Sequence, residues 1–117
     1  MKDTSVLIPT VLIRLGAAQH KVGYIYLKDI ITILNDGEKS TTLTDAYRMT
    51  ANKHNITVNA VECSARRVAK EIIKNASTEL KTEIFGYDIV KENKLGRDYY
   101  TVGEFVLYIL SYINSKK

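Results

Sequence analysis

The feature that most constrains this chain is a periodicity in its middle. Val61, Ala65, Val68, Ala69, Ile72 and Ile73 recur at helical spacing. A strand would scatter these side chains over both faces, so the pattern predicts an amphipathic α-helix over about 58–75. A second helical pattern, Leu43, Tyr47, Thr50, Ala51 and His54, stands immediately before it and ends at Asn55, a residue that tolerates left-handed backbone. Thr57 or Asn59 can cap the new helix, and an Asn59 cap would let Glu62 close a capping box. So short a connection between two helices is the spacing of a helix-turn-helix unit.

The rest of the sequence fits around that unit without strands. "SVLIPTVLIRLG" is an apolar helical stretch with Gly16 as its stop and Pro9 near its start or kinking it. "VGYIYLKDIITILND" places Tyr24, Leu27, Ile30, Ile31 and Leu34 on one broad face, and Asn35, Asp36 and Gly37 end it. "STELKTEIFGY" predicts a short helix capped by Ser77 and stopped by Gly86, and "DIVKENKLGRDYY" a loop. "TVGEFVLYILSYI" is apolar on nearly every side, so the helix it forms is either central in the core or covered by a partner, a homodimer being the second possibility. The expected fold is all-α, a compact bundle of five to six helices containing a helix-turn-helix. At 117 residues with 45% hydrophobic content, one domain over 1–117 can bury a core unaided.

Several function classes drop out. One cysteine excludes an internal disulfide framework, and Cys63 with His20 and His54 cannot supply a zinc-finger ligand set. Gly16 and Gly23 follow no strand, so they form no phosphate-cradling loop, and no Ser/His/Asp or paired-carboxylate arrangement stands at readable spacing. The reading is therefore not an enzyme, with no cofactor and no metal. The apolar run near the start is interrupted by Pro9 and Thr10 and closed by Arg14, which argues against a signal peptide or membrane span and for a cytoplasmic protein.

What remains is the polar side of the long helix. Asn59, Glu62, Cys63, Arg66, Arg67 and Lys70 fall on one continuous stripe opposite the apolar one. The plain reading is a solvated face with a weak Glu62–Arg66 pair of about 0.2–0.5 kcal/mol. Charge distribution points further: residues 38–76 carry seven basic side chains against four acidic ones, whereas 77–117 carry six of each. Arginine can donate two bonds to guanine, asparagine pairs with adenine, and glutamate accepts from the cytosine amino group. Helix-turn-helix proteins read bases with the first part of their second helix. Asn59, Glu62, Cys63 and Arg66 are accordingly the expected base-reading set, and Thr57, Arg67, Lys70 and Lys53 the expected phosphate contacts on double-stranded DNA. Cys63 beside Arg66 and Arg67 could also serve as a redox-sensitive thiol, although a passive small residue is the simpler account. Tyr99 and Tyr100 could stack on bases or pack against the last helix.

Four stretches also carry a family pattern. "HKVGYIYL" resembles H-x-x-G-Y-x-Y-L, "TVNAVECSARR" resembles T-x-x-R-V-E-R-A-I-R, "IFGY" resembles L-F-G-Y and "TVGEFV" resembles T-N-S-E-F-I. In this order and spacing, from about Leu15 to Ile113, they resemble the C-terminal DNA-binding effector domain of the stage-zero sporulation response regulator. The resemblance implies an all-helical domain that binds a short DNA box in the major groove, commonly as tandem or dimeric copies. It also permits a phosphate contact by His20 and Lys21, and implies a surface for RNA polymerase sigma factor over about Ala76–Tyr87, with Glu79, Lys81, Glu83 and Phe85. The chain departs from the pattern where Ala60 and Cys63 replace arginines and Arg67 replaces a histidine. It carries no α/β receiver module, so the expectation is a free-standing effector domain. The alternative is a protein-interaction module, an antagonist of the regulator or of polymerase, that keeps the fold with weak or no specific DNA binding.

Overall fold

A computed structural model describes residues 4–16, 22–37, 41–85 and 102–115. They form six helices in chain order: α1 (Thr4–Arg14), α2 (Val22–Asp36), α3 (Leu43–His54), α4 (Val58–Asn75), α5 (Thr78–Phe85) and α6 (Val102–Ser115). No strand occurs among the described residues, and the fold is the all-α bundle that the periodicities dictate. The expected loop over 88–100 and the Gly86 stop lie outside the described residues.

The start and stop chemistry is local. Gly16 takes φ +90° just beyond α1, a conformation that glycine adopts without the steric cost of a Cβ. Pro9 lies inside α1 rather than at its start. The helix continues past it, with Ile8, Val11 and Leu12 buried on either side, and apolar burial of about 1.5–3 kcal/mol per side chain outweighs one lost backbone bond. Thr42 begins α3 with a capping box: its hydroxyl accepts from the Asp45 N–H at 3.1 Å, and the Asp45 carboxylate accepts from the Thr42 N–H at 3.1 Å. The Thr42 backbone N–H, then its hydroxyl, hold the Asp45 carboxyl below the ordinary aspartate value, with Arg48 assisting.

Each apolar stripe finds its counterpart. On α4 the buried residues are Val61, Ala65, Val68, Ala69, Ile72 and Ile73, the stripe read from the sequence. On α6, Phe105, Val106 and Ile109 are fully buried and Ile113 nearly so, and this helix packs against α1, α2, α4 and α5. Of the two readings for the last helix, the central one describes most of its surface; Leu107, 64% exposed, is the exception. Helix α2 touches α1, α3, α4 and α6, so it is the post on which the helix-turn-helix pair α3–α4 is mounted.

The mounting has one narrow point. A Cβ built on Gly23 of α2 would lie 2.3 Å from the Ser64 carbonyl oxygen and 2.5 Å from Val68 Cγ2, both on α4. Only glycine lets the two backbones come this close. The glycine of "HKVGYIYL" thus sets the seat of α4.

Candidate nucleic-acid interface

The turn between α3 and α4 is built from three residues. Asn55 takes φ 55°, ψ 48°, the left-handed conformation its residue type tolerates. The Asn55 N–H donates to the Asn52 carbonyl at 3.3 Å and the Ile56 N–H to the Ala51 carbonyl at 3.0 Å, so the last carbonyls of α3 are satisfied by the chain that leaves it. Thr57 then caps α4, its hydroxyl oxygen accepting from the Ala60 N–H at 3.1 Å. This resolves the two capping possibilities in favour of Thr57. Asn59 is an interior residue of α4, and the Asn59–Glu62 capping box does not form: the box requires the carboxylate three residues after the cap, and Ala60 occupies that place.

Glu62 pairs with Arg66 instead, one turn along the helix. The Glu62 carboxylate, through its hydrogen bond and its charge, raises the Arg66 guanidinium above its already high ordinary value. The Cys63 thiol lies 3.8 Å from both Asn59 Oδ1 and Glu62 Oε2, so all four expected base-reading residues are joined in one side-chain cluster. Behind it stands Tyr47 on α3, half-buried, with its hydroxyl pushed above the usual tyrosine value by burial and then by Glu62, and Arg66 opposing. Asn59, Arg66, Arg67 and Lys70 are exposed, and Glu62 and Cys63 are half-buried on the inner edge of the stripe. Arg67 has no side-chain hydrogen bond or ion pair with any described residue.

The outlying residues divide. Lys53, at the end of α3, turns its Nζ to Asp29 Oδ1 at 3.3 Å. The other carboxylate oxygen of Asp29 lies 2.6 Å from His54 Nε2, and the Tyr26 ring tilts against the His54 ring with centroids 5.0 Å apart. Asp29 is only 10% exposed, so α2 grips the end of α3 through a carboxylate withdrawn from water. His20 and Lys21 lie outside the described residues, as do Tyr87, Tyr99, Tyr100 and the Phe85 side chain. On α5, Glu79 is exposed, but Lys81 donates to the Ile73 carbonyl at 3.0 Å, in the last turn of α4. Glu83 accepts from the Tyr112 hydroxyl at 3.0 Å and sits 3.5 Å from Arg14. Lys81 and Glu83 therefore hold α5 to its neighbours.

Sequence reasoning passed over Asp29, although a signal was present. A carboxylate between Leu27 and Ile30 falls on the apolar face of its helix, and a buried acid demands a cationic or donor partner. Asp29→Asn is expected to cost about 2 kcal/mol of stability, since hydrogen bonds to a charged group are lost while the shape is kept. A urea titration checks this, and an unchanged midpoint would remove Asp29 as the anchor of α3.

The decisive comparison is with protein families. The model of the sporulation initiation factor Spo0A C terminal matches residues 8–113. The chain belongs to that family. The Spo0A C-terminal family is one of DNA-binding regulatory effector domains of sporulation, not a family of enzymes. The match runs from α1 into α6 and so takes in the whole helix-turn-helix. Among the described residues no helix is long and apolar enough to cross a membrane.

Proposed function

We propose that this Spo0A C-terminal family member is a sequence-specific, cytoplasmic transcription regulator that inserts α4 into the major groove. Glu62 and Arg66 read base edges, Asn59 and Cys63 border them, and Arg67, Lys70, Thr57 and Lys53 meet phosphates. The observation that carries this reading is the placement of the polar stripe. Its hydrogen-bonding residues occupy the first half of the second helix of a helix-turn-helix, the part that reaches bases in that motif. Thr57 keeps its hydroxyl hydrogen for a phosphate while its oxygen caps the helix. Lys53, itself exposed, can exchange its contact with Asp29 for a phosphate, leaving His54 on the carboxylate. A second copy docking on the exposed Leu107 of α6, and sigma factor on the exposed side of α5 around Glu79, complete the proposal.

The test is a fluorescence-anisotropy titration with duplex DNA at two salt concentrations. Arg66→Ala with Arg67→Ala is expected to weaken binding at least about tenfold, one arginine leaving a base and one a phosphate. The salt slope should flatten by about one. Affinity unchanged for every duplex would mean that another face meets DNA.

A further inference from the structure

An unrestrained arginine binds DNA with little discrimination, because phosphates outnumber guanines and accept its hydrogen bonds equally well. Arg66 is restrained. It is ion-paired along the helix to Glu62, whose side chain is only 25% exposed. Cys63 lies against the other Glu62 oxygen. Both oxygens of the acid are thus engaged, while Arg66 stands out into solvent at 46% exposure. The neighbouring Arg67 has no such partner among the described residues.

We propose that Glu62 is a specificity-setting restraint on Arg66, so that the pair surrenders its contact only to a base step that satisfies both members. This rests on the reading of α4 as the DNA-contacting helix. A guanine offers O6 and N7 to Arg66, and the amino group of a neighbouring cytosine offers a donor to Glu62. A phosphate can satisfy Arg66 but takes from Glu62 its charged donor and faces it with a like charge. Non-specific duplex therefore gains little from Arg66, and attraction at random sites falls to Arg67 and Lys70. A step that sets a guanine beside a base with an exocyclic amino donor, as cytosine has, accepts both side chains together.

Glu62→Gln keeps the side chain's size and removes the charge that holds Arg66. The measurement compares wild type, Glu62→Gln, Arg66→Ala and the double variant on two duplexes. One is recovered from a random library by the wild type, and the other is its scrambled sequence. In Glu62→Gln, scrambled-duplex affinity should rise about fivefold at low salt with a slope steeper by about one, as for one added phosphate contact. Preference for the recovered duplex over the scrambled one should fall about tenfold. In the Arg66→Ala background the same Glu62→Gln change should give less than half of that gain. An equal gain in both backgrounds would mean that Glu62 acts as a plain charge and would overturn the restraint. So would an unchanged scrambled-duplex affinity in Glu62→Gln, with a melting temperature near that of wild type confirming the fold. Wild type that binds no duplex at all would remove the DNA-binding reading, and the restraint with it.

Discussion

Gly23→Ala is expected to lower the melting temperature by roughly 10 °C and to abolish DNA binding in the fraction that stays folded. Two effects oppose each other. Alanine is the better helix former by about 0.8–1.0 kcal/mol in a helix interior, and less than that near a helix start, where Gly23 lies. Against this, the new Cβ meets the Ser64 carbonyl oxygen at 2.3 Å and Val68 Cγ2 at 2.5 Å. Val68 can shift, but the carbonyl belongs to the backbone of α4 and can move only with the helix. Overpacking of this kind costs about 1–3 kcal/mol and more where backbone is involved. The clash wins, by about 2–3 kcal/mol, which at this chain length corresponds to roughly the stated drop. Relief requires α4 to slide away from α2, so the proposed reading face moves as well. Thermal unfolding followed by circular dichroism, with anisotropy on the folded fraction, separates the two losses. A variant as stable as wild type would show that α2 and α4 are not seated on Gly23.

Ala60→Arg with Cys63→Arg is expected to tighten DNA binding by about thirtyfold at moderate salt and to steepen the salt dependence by about two. The resemblance to the sporulation effector pattern puts arginines at both positions, and the structure places both residues half-buried in the first turns of α4, beside Asn59 and Glu62. An arginine at 63 would also replace the thiol against Glu62 Oε2 and compete with Arg66 for that carboxylate. Arg66 would then be freer to meet phosphate, so the gain should be largest on scrambled DNA. A binding titration with recovered and scrambled duplexes measures both. No gain on either would mean that the first turns of α4 do not approach DNA.

The fold was legible because its information is local. Helical spacing delivered the whole buried set of α4, and the tolerance of Asn55 for left-handed backbone delivered the turn. Ser77 caps α5 as its residue type suggests, with the Leu80 N–H reaching its hydroxyl at 3.2 Å. What escaped the sequence is tertiary. Nothing in the spacing says that Gly23 faces Ser64, that Asp29 reaches His54 from another helix, or that Glu83 is bound to Tyr112. The polar stripe of α4, the proposed reading face, lies between these cases. Its membership follows from the period of α4, but the choice of Thr57 as cap depends on backbone geometry that either Thr57 or Asn59 could have supplied. With Thr57 chosen, Glu62 is released from a capping role and turns to Arg66, and the electrostatics of the site follow from that one residue.

The most direct measurement of the central claim is selection from a random duplex library with the purified chain at moderate salt, run beside the Arg66→Ala, Arg67→Ala variant. An enriched motif containing a guanine step is expected, lost in the variant. No enriched motif, or the same motif from both proteins, would contradict it, and the first of these would turn the chain into a protein-interaction module built on a DNA-binding fold.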